Sequence, residues 1–213
     1  MNGNLLQNGS IQVPRVKICG ITSEREIKFI NELDINYVGF VFEKSRRQIS
    51  VYDAARLRKA LRGDIKAVGV FTSADSSIIN KTAKICGIDI IQLHCSGDIE
   101  QGQYDLPVWK AVSIKDDKEE LIKRLEGPYD AFVLDTYVKN KAGGTGVVFN
   151  WNLARDLSEK RKIVLAGGLT AENVAEAIYI VRPQIVDVST GVEGICGKDE
   201  KKVKAFLHAA GYN

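Results

Sequence analysis

The feature that most constrains this chain is a regular alternation of short apolar runs with segments of helical spacing. The apolar runs are nearly continuous in apolar character and rich in Val and Ile, which is typical of parallel strands covered on both faces. Eight strands are predicted in this way, at Arg15–Cys19, Tyr37–Phe42, Lys66–Phe71, Ile88–Leu93, Val108–Val112, Ala131–Leu134, Ile163–Ala166 and Ile185–Val188.

Helical spacing follows the strands, and residues that favour helix N-caps stand before several of the helical segments. The stretch around Asp98–Tyr104, after the fourth strand, is a weak helix. The other helices are predicted at Glu24–Leu33, Val51–Leu61, Ser76–Ile85, Lys118–Leu125, Trp151–Leu157, Ala171–Ile180 and Lys201–Ala209. The candidate N-caps are Thr22 or Ser23, Ser50, Ser73 or Asp75, Asn150 and Thr170.

Eight strands and eight helical positions predict an α/β fold of the (β/α)8 barrel type. A doubly wound open sheet has the same alternation, and the pattern alone does not exclude it, although no G-x-G-x-x-G follows an early strand. The 213 residues, 45% of them hydrophobic, suffice for one core. We expect a flexible leader over residues 1–12, which are rich in Asn and Gly, and a single barrel domain over residues 13–213.

Composition narrows the classes of partner and site. The 30 basic and 27 acidic side chains are evenly spread, so no nucleic-acid surface is expected. No run reaches the ~18 apolar residues of a membrane span. The four cysteines show no CxxC pair, which favours reduced thiols and a cytoplasmic location over disulfides, and with two histidines a metal site is not expected.

The working face of such a barrel lies at the carboxyl ends of its strands. Cys19 ends the first strand before a glycine turn, where a nearby cation such as Lys17 or a helix N-terminus would promote the thiolate that a general base requires. A small buried hydrophobe is the alternative use of this residue. Asp135 follows the sixth strand, where burial would keep a carboxylic acid protonated, or it serves only as a loop anchor.

Further polar residues stand at other strand ends. Arg46 and Arg47 follow the second strand and are suited to bind a substrate carboxylate, or are solvated loop charges. His94 follows the fourth strand, where a structural role is the simpler interpretation, and Asp187 lies on the eighth strand.

Glycine clusters at the ends of strands six, seven and eight indicate phosphate binding, because glycine lets backbone amides approach an anion closely. The clusters are Gly143-Gly144-Thr145-Gly146, Gly167-Gly168 and Ser189-Thr190-Gly191. A phosphorylated small molecule is therefore the expected partner.

Taken together, these motifs resemble those of the phosphoribosylanthranilate isomerases of tryptophan biosynthesis, from about residue 15 to the end of the chain. The matching stretches are Lys17-Ile18-Cys19-Gly20-Ile21-Thr22, Gly39-Phe40-Val41-Phe42 with Ser45 and Arg47, Val68-Gly69-Val70-Phe71, Gln92-Leu93-His94, Leu134-Asp135-Thr136, Gly143-Gly144-Thr145-Gly146 with Phe149 and Trp151, Leu165-Ala166-Gly167-Gly168-Leu169, Asn173-Val174, and Asp187-Val188-Ser189 with Gly191-Val192-Glu193.

The resemblance implies a barrel enzyme that converts N-(5-phosphoribosyl)anthranilate into the 1-deoxyribulose 5-phosphate isomer by an Amadori rearrangement, the third step from chorismate. It implies no metal or organic cofactor. By the family pattern Asp135 is the general acid, Cys19 the general base, and Arg47 binds the substrate carboxylate. The remaining roles implied are phosphate binding by Gly167, Gly168, Thr190 and Gly191, a closing lid at Gly143, Gly144, Thr145 and Gly146, and support by Lys17, His94 and Asp187.

The sequence departs from the family pattern in four places, one of which is Gly194-Ile195-Cys196, where more polar residues are usual. Ser45-Arg46-Arg47 replaces the usual Ser-Pro-Arg, so a rigid proline is lost and a second cation gained, while the register favours Arg47 as the carboxylate ligand. Cys95 stands where a glycine is common, and Thr190 keeps the hydroxyl of the usual serine.

Two other functions stay open. Another phosphate-binding barrel enzyme, such as an indole-glycerol-phosphate synthase or a ribulose-phosphate epimerase, would need a catalytic lysine set or metal-binding histidines at strand ends. A non-catalytic sugar-phosphate-binding barrel would not need both Cys19 and Asp135. The chain is expected to act as a monomer or homodimer.

Overall fold

The computed structural model describes residues 12–72, 75–95, 98–113, 122–135 and 151–212. Eight parallel strands pair in sequence order and close into a barrel, so the (β/α)8 prediction is confirmed and the open doubly wound sheet is excluded. The strands are β1 (Arg15–Cys19), β2 (Tyr37–Val41), β3 (Lys66–Phe71), β4 (Ile90–Leu93), β5 (Val108–Ser113), β6 (Ala131–Asp135), β7 (Ile163–Leu165) and β8 (Ile185–Val188).

The barrel closes where β1 lies between β2 and β8. Lys17 is in register with Tyr37 on β2 and with Asp187 on β8. Because side chains alternate along a strand, Val16 and Ile18 on β1 point out to the helices, and Lys17 and Cys19 point into the barrel.

The lower part of the barrel interior is apolar. Tyr37 and Trp109 meet there edge to face with ring centroids 5.3 Å apart. Inward-facing residues from β3 to β8, or directly after β7, pack around these two rings, and Ile90 and Ala111 among them are only partly buried. They are Val68, Ile90, Ala111, Ala131, Val133, Val164, Ala166 and Ile185. A packed floor of this kind leaves the carboxyl-terminal mouth as the place for polar groups.

Six helices surround the barrel in the described residues: α1 (Glu24–Ile30), α2 (Val51–Ala60), α3 (Ser76–Cys86), α4 (Asn152–Ser158), α5 (Val174–Val181) and α6 (Glu200–Ala209). The first three begin at side-chain N-caps, which are Ser23, Ser50 and Asp75, three of the predicted candidates. Ser23 forms a reciprocal capping box with Glu26.

The prediction of Thr170 as an N-cap is wrong. Helix α5 begins at Val174, and its N-cap is Asn173, whose Oδ1 accepts from the Thr170 amide at 2.8 Å. The Thr170 hydroxyl instead accepts a hydrogen bond from the Glu172 amide, so it organises a turn before the helix.

Some predicted elements lie partly or wholly outside the described residues. These are the leader apart from Gln12, the Asn150 N-cap, the glycine-rich lid Gly143, Gly144, Thr145 and Gly146, and most of the helix predicted at Lys118–Leu125, of which residues 122–124 are helical. The weak helix around Asp98–Tyr104 is a series of turns in its described part.

One structural unit was not predicted. After β8 the chain makes a 3-10 turn at Thr190–Val192 and then a two-stranded hairpin of β9 (Glu193–Gly194) and β10 (Gly197–Lys198) before α6. The Lys198 amide donates to Glu26 Oε1 at 2.6 Å, which ties this hairpin to the start of α1.

Candidate active site

A fully buried ion pair lies at the centre of the barrel mouth. Lys17, on β1, has no exposed surface, and its Nζ donates to Asp187 Oδ2 on β8 at 2.6 Å. Burial alone would lower the pKa of Lys17, but its hydrogen-bonded partner Asp187 and the nearby Cys19 raise it. Lys17 is therefore a fixed cation inside the mouth.

Cys19 stands one inward position further along β1. A Cβ at Gly39, its register partner on β2, would lie 2.7 Å from the Cys19 Sγ, so only glycine leaves room for this thiol. The next residue, Gly20, has φ +85°, which turns the chain toward α1. Sequence and fold together place the thiol at the mouth, as the prediction requires.

The ionisation of Cys19 is set by opposing effects. Burial raises the pKa of the thiol, and the nearby cations Lys17 and Lys198 lower it, but the net shift is upward. Lys17 lowers the pKa of Cys19, but burial and the Asp187 charge outweigh it, so the promotion of the thiolate by Lys17 stays a prediction.

Asp135 ends β6 on the same inward parity as Ala131 and Val133. Burial raises the pKa of its carboxyl, the Asp187 charge raises it further, and Lys17 offsets part of this shift. A carboxylic acid that keeps its proton is suited to donate it, so the environment of Asp135 favours the role of an acid over that of a loop anchor.

His94 and Gln92 follow one another on the inward side of β4. The two side chains meet through Gln92 Nε2 and His94 Nε2 at 2.8 Å. His94 keeps exposed surface, but desolvation of an imidazolium and repulsion by Lys17 lower the His94 pKa to about 4. His94 is therefore neutral near pH 7 and joins the Gln92 amide through one hydrogen bond.

The two arginines after β2 both bind a carboxylate, but it is one of the protein's own. Arg47 Nε donates to Glu193 Oε1 at 2.6 Å, and Arg46 Nη2 contacts Glu193 Oε2. Arg47 Nη2 also donates to the Thr190 hydroxyl at 2.8 Å. The Arg46 side chain is largely exposed and the Arg47 side chain is not. The structure therefore distinguishes the two arginines, as the alignment with the family's Ser-Pro-Arg motif did.

Sequence reasoning missed one buried cation. Lys198, on β10, is only 1% exposed, and its Nζ donates to Glu193 Oε1 at 2.9 Å and to the carbonyl and hydroxyl oxygens of Ser189 at 3.1 Å. The Ser189 hydroxyl in turn donates to the Cys19 carbonyl at 2.8 Å. In the sequence Lys198 stands beside the charged run that opens α6, and such a run is typical of solvated surface. Only the Gly-Lys pair after a hairpin could have indicated that this lysine is buried.

The glycine turns after β7 and β8 lie side by side. Gly167 and Gly168 have φ +84° and +65°, and within the described ranges no backbone hydrogen bond uses their amides as donors. A Cβ at Gly191 would lie 2.0 Å from the Leu169 carbonyl oxygen, so these two turns touch. Backbone amides free to face a ligand are what anion binding requires.

The mouth therefore combines a carboxyl group whose pKa burial raises, a thiol near two lysines and two adjacent glycine turns, a set suited to proton transfer on a phosphorylated substrate. The family profile for N-(5′-phosphoribosyl)anthranilate isomerase matches residues 16–209. This chain belongs to that isomerase family.

Phosphoribosylanthranilate isomerases also supply its similar relatives. The enzyme so named from Thermoanaerobacter sp. (strain X514) is 46% identical over 197 residues, covering 91% of this chain and 96% of the relative. A crystal structure of phosphoribosylanthranilate isomerase from Thermotoga maritima has a TM-score of 0.83 and 36% identity, and covers 92% of this chain and 98% of its own.

Two further solved isomerases of this family bear on ligand and assembly. One, in complex with reduced 1-(o-carboxyphenylamino)-1-deoxyribulose 5-phosphate, has a TM-score of 0.80 and 36% identity. The other is described as mutually generated monomers of the dimeric enzyme from Thermotoga maritima, with a TM-score of 0.79 and 38% identity. Each covers 92% of this chain and 98% of its own.

Family membership confirms the predicted enzyme class, an isomerase of tryptophan biosynthesis, and the rival barrel enzymes are set aside. In the part of the chain that the structure describes, no helix is both long and apolar enough to span a bilayer. Over the same residues no three His, Cys, Asp or Glu side chains are grouped as a metal site would need.

Proposed function

We propose that this chain carries out the reaction of its family, the Amadori rearrangement of N-(5′-phosphoribosyl)anthranilate, with Asp135 as general acid and Cys19 as general base. The observation that carries the proposal is the placement of the two side chains on the inward faces of β6 and β1, with different charges around each. Burial and the Asp187 charge raise the pKa of Asp135, and two cations, Lys17 and Lys198, lower the pKa of Cys19 against the effect of burial. The acid must begin with a proton and the base without one.

The steps balance in protons and bonds. Asp135 gives its proton to the ribose ring oxygen as the C1–O bond breaks, and the anthranilate nitrogen forms a Schiff base with C1. The Cys19 thiolate then removes the proton from C2, which gives an enolamine. Tautomerisation of the enolamine places the carbonyl at C2, so no redox partner is required.

Binding roles go to groups around the two catalytic residues. Arg47 binds the anthranilate carboxylate, and the backbone around Gly167, Gly168, Thr190 and Gly191 binds the phosphate. The adjacency of the β7 and β8 turns supports the phosphate site, because both contribute to one surface. Residues Gly143, Gly144, Thr145 and Gly146 would close over the mouth and exclude water.

The decisive experiment is the isomerase assay on the purified chain, which follows the loss of phosphoribosylanthranilate fluorescence. Asp135→Asn and Cys19→Ser should each lower kcat by ~10² to 10⁴, because general acid-base catalysis typically contributes that much. Affinity for the reduced product analogue should change little. Near-normal turnover in either variant would remove that residue from the mechanism.

The control is binding of the same analogue to the unaltered chain. Binding without turnover in the unaltered chain would point instead to a non-catalytic sugar-phosphate-binding protein. Binding with turnover, lost in both variants, supports the isomerase.

We further propose a small phosphorylated molecule as the partner, with no nucleic acid and no membrane, and a monomer or homodimer as the assembly. A cytoplasmic location is supported by the four cysteines, all of which lie in the described residues and none of which forms a disulfide. Sedimentation of the purified chain distinguishes the two assemblies.

A further inference from the structure

Glu193 links three cations at the rim of the mouth. It lies on β9, with 13% of its side chain exposed, and one oxygen accepts from both Arg47 Nε and Lys198 Nζ while the other contacts Arg46. Burial raises the pKa of this carboxyl, but the Arg47 and Lys198 contacts lower it to about 2. The carboxylate is therefore charged at every pH at which the enzyme works.

The contacts of Arg47 determine which of its N–H groups stay open. A guanidinium has one edge formed by Nε and Nη2 and another formed by Nη1 and Nη2. Glu193 takes Nε, and Thr190 takes one Nη2 proton. Within the described residues no hydrogen bond uses Arg47 Nη1, so Nη1 and the remaining Nη2 proton are left for a substrate carboxylate.

Gly20 supports the same orientation from below. A Cβ at Gly20 would lie 2.5 Å from Arg47 Cδ, so the aliphatic part of the arginine rests directly on the glycine backbone. Arg47 is thus held from beneath by Gly20 and at its Nε side by Glu193. These two contacts restrict the orientation of its guanidinium.

We propose that Glu193 is a positioning residue that presents Arg47 to the ring carboxylate of the substrate and so determines specificity for a carboxylated aromatic amine. This inference rests on the role of Arg47 in the proposed function. Two guanidinium groups and one ammonium surround the single Glu193 carboxylate, so the cluster retains positive charge for an incoming anion. Pre-organisation then raises affinity because the arginine loses less side-chain freedom on binding.

The test compares two probes: the reduced product analogue, which carries the ring carboxylate, and the same compound made from aniline, which lacks it. Isothermal titration gives the Kd of each for four variants. Glu193→Gln removes the charge but keeps an acceptor oxygen, and Glu193→Asp keeps the charge but withdraws it by one methylene. Arg47→Ala removes the ligand itself, and Glu200→Gln breaks only an exposed ion pair with Lys204.

We expect Glu193→Gln and Glu193→Asp to weaken binding of the carboxylated probe by about 10-fold, the scale of one misaligned charge-assisted hydrogen bond. Binding of the aniline probe should change less than about 2-fold, and Glu200→Gln should change neither probe. Combining Glu193→Gln with Arg47→Ala should cost little more than Arg47→Ala alone, because the two residues act as a unit.

The possible failures are distinct. If Arg47→Ala weakens binding of both probes equally, or of neither, Arg47 does not bind the carboxylate. That result would overturn both this inference and the role of Arg47 in the proposed function. If Arg47→Ala discriminates between the probes and Glu193→Gln does not, only the role of Glu193 is overturned. Should Glu193→Gln fold poorly, Glu193→Asp gives the same comparison. An equal loss of affinity for both probes in Glu193→Asp would mean that Glu193 has only a structural role.

Discussion

The two sides of the barrel mouth are built in different ways. On the β8–β1 side, Lys17, Asp187, Lys198 and Glu193 are held by ion pairs. On the β4–β6 side Asp135 forms no ion pair within the described residues, and its pKa is raised chiefly by burial. The Thr190 hydroxyl accepts a further hydrogen bond from Arg47 on the first side.

The difference follows from the charge each side must hold. A base that must begin as a thiolate needs cations beside it, because burial alone raises the pKa of the Cys19 thiol. An acid that must begin with its proton needs an environment that disfavours negative charge, which burial and the nearby Asp187 carboxylate supply at Asp135. The two lysines therefore favour ionisation of the base, and burial together with Asp187 disfavours ionisation of the acid.

The largest effect is expected when Lys17, the buried cation at the centre of the mouth, is removed. Lys17→Met leaves the Asp187 charge buried without its partner and should reduce the free energy of unfolding by about 3–5 kcal/mol. Urea denaturation measures the change. Lys66→Met, which breaks an exposed pair with Asp89, is the matched control and should cost about 0–1 kcal/mol. Equal losses in the two variants would contradict the importance we assign to burial.

On the acid side the prediction has the opposite sign. The folded pKa of Asp135 lies above its ordinary value of 3.8, so the folded state holds a proton that the unfolded state releases, and stability falls as pH rises from about 3.8 through the folded pKa. The Asp135→Asn protein does not lose stability in this way as the pH rises. Its melting temperature should exceed that of the unaltered chain at pH 7 and approach it below pH 3.8.

That comparison is made by thermal denaturation across pH, beside the assay in which the same variant loses kcat. A residue that lowers stability and supports catalysis is the pattern expected of a desolvated acid. An Asp135→Asn protein less stable than the unaltered chain at pH 7 would place Asp135 among the structural anchors.

The smallest effect concerns the peripheral cation. Lys198→Met should raise the pKa of Cys19, because one of the two cations that lower it is lost. The measurement is the pH dependence of iodoacetamide alkylation, followed by mass spectrometry on the peptide containing Cys19. Lys202→Met removes an exposed charge that contacts the Glu193 carbonyl, and its alkylation curve should not move. A shift common to both variants would mean a general field effect.

Local rules explain why so much of the fold could be predicted. The apolar runs and caps are short-range signals, so β1, β3 and β8 match their predicted ranges and three caps are correct. These local signals did not decide whether the sheet closes, because an open sheet repeats the same βα unit. Closure depends on the pairing of β1 with β8, in which Lys17 is in register with Asp187, and no local pattern in the sequence predicts that pairing.

The site could be predicted only in part for the same reason. Cys19 and Asp135 stand at strand ends, which a sequence reveals. Lys198 is buried because a hairpin folds onto α1, where Gly197 has φ +91° and its missing Cβ leaves space for Glu26 Oε1. In the sequence that lysine is one of several charges around the start of α6, so its burial depends on distant contacts.

The bonds that complete the mouth join residues at opposite ends of the chain. Lys17 to Asp187, Cys19 to Ser189 and Glu26 to Lys198 span 170, 170 and 172 positions. Contacts so distant in sequence form late in folding, because a long loop must close first. Catalytic activity in a refolding experiment would therefore report barrel closure itself.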